Sequence, residues 1–279
     1  MTASTAWPRQ TVARANSLSG PCLATGAEVT VTLRPAPTKT GLVFRHVPTR
    51  TDIPANLAHV AEVPNCTSLR SGEARIDFVE HLMAALWAER ITDAIVEVDG
   101  GEIPLLDGSA RPYVALARAA GKARLAGEVP PIRVGEIPVV HGEGDRIISA
   151  GPGEGYSYLL DHPHPLIGLQ AAAFFPASDD FATALAPART FATEQEARML
   201  LAARDLKGAQ PEMAIIAYDD HLSEPEPMPD SFARHKLVDM IGDLYLLGRP
   251  LEALVIGTRT GHAENQVLAA EIVRKYGIV

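Results

Sequence analysis

The sequence predicts an α+β protein built from two similar domains, and three observations predict it. EHLMAALWAERITDAIVEVDG (80–100) reads as an acid and a histidine opening an apolar helix, a short connection, then an apolar strand. RHKLVDMIGDLYLLGRPLEALVIGTRTG (234–261) repeats that order: a charged residue and a histidine, a helix, a short connection, an apolar strand. Between them GEVPPIRVGEIP (127–138) is rich in Pro and Gly and marks a boundary. Two copies of one supersecondary unit imply two like domains packed as a pseudo-dimer. The expected division is 1–127 and 128–279.

Taken in order, EVTVTLR (28–34) alternates apolar and polar residues as a half-buried strand does, and GLVFRHV (41–47) is a second candidate strand. EHLMAALWAER (80–90) is a helix, and ITDAIVEVDG (91–100) a strand ending in an Asp-Gly turn. EIPLLDGSA (102–110) is turn-rich, and RPYVALARAAG (111–121) is a further helix. In SFARHKLVDMIGDLYLLG (231–248) the apolar Leu237, Met240, Ile241, Leu244 and Leu247 recur at helical spacing.

Composition narrows the function classes. The 279 residues are 47% hydrophobic and 21% charged, with mean hydropathy +0.05, as in a soluble globular protein. The formal charge of -9 (25 basic, 34 acidic) comes without a Lys/Arg stripe, which argues against a nucleic-acid partner. Two cysteines make no disulfide framework and suit a reducing compartment. The first twenty residues lack an apolar secretory core. No stretch has the ~18 unbroken apolar residues of a membrane span. The expectation is a cytoplasmic monomer with no integral membrane segment.

The helix at 231–248 carries His235, Asp239 and Asp243 at i, i+4 and i+8, which places all three on one stripe. Such a stripe serves a solvated face with a His–Asp ion pair, or it serves a metal. A catalytic zinc takes three protein ligands from His nitrogen and carboxylate oxygen and keeps one position open. His235 and Asp239 supply two, and His81 of the other half is the candidate third. A structural zinc favours four closed ligands, often cysteine, and only three candidates are present. Glu80, beside His81, is a candidate general base toward a water whose pKa a metal lowers. It equally complements a helix N-terminus. His262, leaving a strand after TRTG, is a candidate proton donor or oxyanion partner, and Asp243 is a candidate to hold it charged. The same histidine also fits a surface turn.

Together these segments resemble the UDP-3-O-acyl-N-acetylglucosamine deacetylase family, the zinc enzymes of lipid A biosynthesis. RPAPTKTGLVFRH (34–46) is similar to the family's PAPxNTGIxFRR segment. VEHLMAAL (79–86), AIVEVDGGEIPLLDGSARPYV (94–114), ARTF (188–191), RHKLVDMIGDLYLLGRPL (234–251) and TGH (260–262) match further segments in order. The resemblance implies two α+β domains of like topology with helices sandwiched between two sheets. It implies zinc on His81, His235 and Asp239, although ferrous iron suits the same set. It implies Glu80 as general base, His262 as electrostatic partner and proton donor oriented by Asp243, and Thr190 as an oxyanion hydroxyl. Phe191 and Lys236 would line the pocket of a UDP-linked acylated amino sugar, with Arg259 near in sequence. Cys66 falls where some members hold a cysteine close to the zinc, and it reads equally as a core or loop cysteine. A unit inserted near 191–222, with apolar Met199, Leu200, Leu201, Ile215 and Ile216, would form the acyl-chain passage, and plain helix-on-strand packing gives the same pattern.

The sequence also departs from the family. CLATG (22–26) stands for GLHSG, with Ala24 in place of histidine, and GAQPEMA (208–214) stands for GGSxxNA, with Gln210 and Glu212. After Phe191, Ala192 and Thr193 replace aromatic residues. These positions lie outside the zinc set and the base. Two other functions remain compatible with the sequence: deacetylation of a different acetylated sugar by a paralogue, and non-catalytic binding of a sugar nucleotide or acyl lipid.

Overall fold

The computed structural model describes residues 6–204 and 206–276. Two five-stranded sheets share one topology. In the first, the strands run in the spatial order Asn16–Pro21, Glu28–Pro35, Ala94–Val98, Leu42–His46, Thr51–Pro54. In the second, the order is Val139–Glu143, Arg146–Gly151, Leu254–Thr258, Gly155–Asp161, Leu169–Phe174. In each, the strand last in sequence is central, antiparallel to one neighbour and parallel to the other. The registers Phe44↔Val96 and Tyr156↔Val255 are the matching parallel pairs.

A parallel pair needs a crossover, commonly a helix. Helix α1 (Glu80–Ala88) supplies it in the first half. Helix α2 (Arg111–Ala120) follows the central strand and lies on the same sheet. In the second half the single turn α3 (Phe181–Ala184), α4 (Glu194–Arg204) and α5 (Ser231–Tyr245) precede the central strand, and α6 (His262–Tyr276) follows it. Among them α5 is the counterpart of α1 and α6 of α2. Helix α4 joins the parallel strands Phe191–Thr193 and Ile215–Ala217.

The helices lie between the sheets because of what the sequence makes apolar. Leu82, Met83, Ala84, Ala85 and Leu86 of α1 are all fully buried, and only a helix covered on every side needs apolar residues all round. Val31, Leu33, Phe44, Ile53, Val96 and Val98 point inward from the first sheet, and Ile148, Ala150, Val255 and Phe174 from the second. Helices α1 and α5 pack on each other, and α5 also packs on the second sheet.

The α1–α5 crossing is unusually close. A Cβ on Gly242 would stand 2.0 Å from the carbonyl oxygen of Glu80, so the two backbones touch. Glycine is the one residue that permits this, despite its cost inside a helix.

The 127–138 stretch contains the end of strand Lys122–Val129, which pairs with Trp7–Val12, and strand Ile132–Arg133, which pairs with Leu251–Glu252. No helix among the described residues is long and apolar enough to cross a membrane.

Candidate metal centre and active site

The glycine-tight crossing brings the first turn of α1 against the middle of α5. There His81 Nε2 and His235 Nε2 each lie 3.4 Å from Asp239 Oδ1. Their imidazole rings are edge-on, with centroids 4.9 Å apart. All three residues are buried, and one ligand atom from each lies within 4.8 Å of the other two. Among the described residues, this is the group of His, Cys, Asp or Glu that closes so tightly.

The protonation states suit a cation. Burial pushes the His235 imidazole down to about 3, so it is neutral at physiological pH. Burial alone would push Asp239 up, but the adjacent Lys236 ammonium helps hold its carboxyl well below the usual carboxylate range. His235 Nδ1 is 3.2 Å from the carbonyl oxygen of Ala188, which can only accept. Nδ1 therefore carries the proton and Nε2 keeps its lone pair, the tautomer that a ligating histidine needs. Two imidazole nitrogens and one carboxylate, buried and converging, fit a divalent ion of the zinc or ferrous type.

Around this focus stand the acid–base groups. Glu80 is buried, and its Oε2 accepts the Thr67 N–H at 3.0 Å. Burial raises its pKa, against the pull of His262 and His81. His262, at the first turn of α6, donates Nδ1–H to Asp243 Oδ2 at 2.8 Å. Burial opposes its charge, but the Asp243 carboxylate overrides burial and lifts the imidazole to about 10. The site thus joins a buried carboxylate to an imidazolium, the pairing that general base and general acid require.

The ARTF segment is held by the first half. Thr190 N–H donates to the Gly108 carbonyl at 2.8 Å, and Arg189 Nε to the Asp107 carbonyl at 2.6 Å. Gly108 has φ +73°, and a Cβ there would meet the Met213 carbonyl oxygen at 2.2 Å. The turn-rich 102–110 loop is therefore the seat of ARTF. The Phe191 ring packs on Phe232 with centroids 4.5 Å apart and planes tilted by 42°, and its centroid is 6.5 Å from that of His235. Lys236 Nζ lies 5.5 Å from the centre of the Phe191 ring and donates to Asp239 Oδ2 at 3.1 Å. His81, His235, Asp239, Lys236, Phe191 and the Ala188–Thr190 backbone thus form one connected cluster, with Glu80, Asp243 and His262 joined beside it. Arg259 is engaged elsewhere, with Nη1 on Asp161 at 3.0 Å and Nη2 on Asp145 at 3.1 Å. Cys66 is buried next to Thr67, outside the three-ligand group.

Four contributors escaped the sequence reading. Thr67 gives its backbone N–H to Glu80 and its hydroxyl to Asp243, and the Ala188 carbonyl accepts from His235; no local sequence pattern marks either role. Asn265 donates Nδ2 to Asp243 Oδ2 at 2.8 Å, and its i+3 spacing from His262 was a usable sign. Gly242 was readable too, since a glycine inside an apolar helix often marks a close approach. The structure also joins two divergent segments. Lys207 N–H donates to the Ala24 carbonyl and Gly208 N–H to the Leu23 carbonyl, both at 3.0 Å. CLATG and GAQPEMA therefore share one corner.

Comparison with known proteins agrees in extent. The family profile described as "LpxC: UDP-3-O-acyl N-acetylglycosamine deacetylase" matches residues 9–274. A protein of Anaeromyxobacter dehalogenans named UDP-3-O-acyl-N-acetylglucosamine deacetylase is 38% identical over 272 residues, covering 96% of this chain and 88% of its own. A Chlamydia abortus protein of the same name is 36% identical, covering 95% of this chain and 96% of its own. One from a Geobacter species is 34% identical, covering 96% and 89%.

Proposed function

This chain belongs to the UDP-3-O-acyl-N-acetylglucosamine deacetylase family, and from that premise we propose how its own residues carry out the reaction. It is an amidohydrolase that removes the N-acetyl group of a UDP-linked, 3-O-acylated glucosamine in lipid A biosynthesis. His81, His235 and Asp239 hold a divalent ion, zinc by our reading. An ion held there would supply Lewis acidity toward an amide carbonyl and lower the pKa of water. Glu80 takes the proton of the attacking water, and its raised pKa brings it closer to neutral, where a base is most useful. The Thr190 hydroxyl and the His262 imidazolium stabilise the oxyanion. His262, aligned by Asp243, then gives its Nε2 proton to the departing amine.

Lys236 and Phe191 line the substrate pocket, and the cation suits the anionic nucleotide. Arg259 is paired with Asp161 and Asp145 and is not assigned to that pocket. The 191–222 unit takes the acyl chain: Met199 is 64% exposed and Leu201 39%, an apolar surface with no packing role on α4. We read the protein as a cytoplasmic monomer with domains 1–127 and 128–279.

The observation that carries this reading is the meeting of three ligand groups from both halves with a buried carboxylate and a charged imidazole. The test is acetate release from UDP-3-O-acyl-N-acetylglucosamine by wild type and by Glu80→Gln. Wild type should turn over, and the variant should lose roughly 10²- to 10⁴-fold in kcat while keeping its metal. A Glu80→Gln protein as active as wild type refutes the assignment. The corner shared by CLATG and GAQPEMA favours a second reading, a differently acylated substrate, which the same assay separates by varying the acyl group.

A further inference from the structure

Thr67 is fully buried just before strand Ser68–Ser71 of the first half. Its backbone and side chain face two different parts of the chemistry. The main-chain N–H donates to Glu80 Oε2 at 3.0 Å, and the carbonyl accepts the Val79 N–H at 3.1 Å. The hydroxyl donates to Asp243 Oδ1. The same oxygen lies 3.3 Å from His262 Nδ1 and 3.4 Å from Gln266 Nε2, and both of these can donate to it.

Asp243 is fully buried, so each of its oxygens needs partners. Oδ2 has two, His262 Nδ1 and Asn265 Nδ2, both from α6. Oδ1 has the Thr67 hydroxyl. The α6 donors lie on one side of the carboxylate, and Thr67 holds the other. Without the hydroxyl, Oδ1 loses this partner and the carboxylate is held from the α6 side alone, which loosens the aim of the imidazole it carries. The backbone half of Thr67 is fixed independently, by pairing with Val79.

We propose that Thr67 is a positioning residue of the deacetylation. Its main chain sets Glu80, and its hydroxyl sets the Asp243–His262 pair, so one residue holds the proton acceptor and the proton donor in register. The inference rests on the reading of Glu80 and His262 given above.

The experiment is steady-state deacetylation by wild type, Thr67→Val, Thr67→Ser, His262→Ala and the Thr67→Val/His262→Ala double variant, with melting temperature and metal content measured for each. Thr67→Val keeps the shape and loses the hydroxyl. It should lower kcat about 10- to 100-fold, the usual loss for a residue supporting a functional group, with KM within about twofold. Thr67→Ser should restore kcat to within about threefold. In the His262→Ala background Thr67→Val should cost little more, because its effect passes through the imidazole. Should the valine variant not fold, Thr67→Ala carries the same comparison. Wild-type kcat in the valine variant overturns the proposal. So does a serine variant as impaired as valine, or full additivity with His262→Ala. Wild type without deacetylase activity would instead sink the underlying reading, so the two failures are distinct.

Discussion

Replacing Gly242 with alanine adds one methyl group where the helices cross. That Cβ would lie 2.0 Å from the Glu80 carbonyl oxygen, 2.8 Å from its carbonyl carbon and 3.1 Å from its Cα. A tolerable carbon–oxygen contact is about 3.3 Å, so α1 and α5 must part by about 1.3 Å along that line. Overpacking of this kind costs about 1–3 kcal/mol, and the better helix propensity of alanine returns about 1 kcal/mol. Stability should therefore fall modestly, by a few degrees of melting temperature. Catalysis should fall much further. The contact point is Glu80 itself, and the three ligand residues divide across the same crossing, His81 on α1 and the other two on α5. A displacement near 1 Å costs about 100-fold in such a site. The assay is kcat/KM for acetate release beside thermal melting and metal analysis of the same preparation. If Gly242→Ala retained kcat/KM within about threefold of wild type, the claim that this contact sets the site's spacing would fall.

Protonation of His262 gives a second prediction. Its native value near 10 stands above the ordinary ~6.5, so its contribution to stability is complete below pH 6.5 and drains away as pH climbs to 10. Activity that needs the imidazolium is kept through that window and falls only as pH approaches and passes about 10. Asp243→Asn should move the alkaline limb of the kcat/KM profile down toward ~6.5, and an unmoved limb would separate that limb from His262. Chelation should abolish acetate release and lower the melting temperature, and added zinc should restore both. Activity surviving in protein that metal analysis finds empty would refute the metal assignment. Lys236→Ala should raise KM for the nucleotide-sugar more than it lowers kcat, as read from initial rates over a substrate series. The opposite split would place Lys236 in the chemistry instead.

Much of this fold and site is legible in the amino-acid sequence. The repeated helix-then-strand unit anticipated two sheets of one topology, because hydrophobic periodicity survives whatever the tertiary context. The i, i+4 pair His235–Asp239 and the Glu80–His81 doublet were legible because helical geometry converts spacing directly into direction. What the sequence concealed is contact between segments far apart in the chain. Thr67 is an ordinary residue in CTSLR until Asp243 and Glu80 arrive at its two sides. The Ala188 carbonyl belongs to the backbone and has no side-chain signature. Arg259 is three residues from His262, yet its guanidinium pairs with Asp161 and Asp145.

The two halves share a plan but differ in the spacer between central strand and following helix. In the first half that spacer is residues 99–110, long enough to loop out and seat ARTF. In the second it is residues 259–261, so short that His262 emerges directly beside Asp243. The chain-entropy cost of lengthening a connection is mild, about 0.6 kcal/mol per doubling, although Thr260 here is buried and its carbonyl accepts from Tyr158. A few residues inserted at 259–261 would carry His262 away from Asp243 while His81, His235 and Asp239, which lie on other helices, kept their places. Duplicated architecture of this kind can lose its reaction without losing its shape, and the length of one spacer decides which outcome is met.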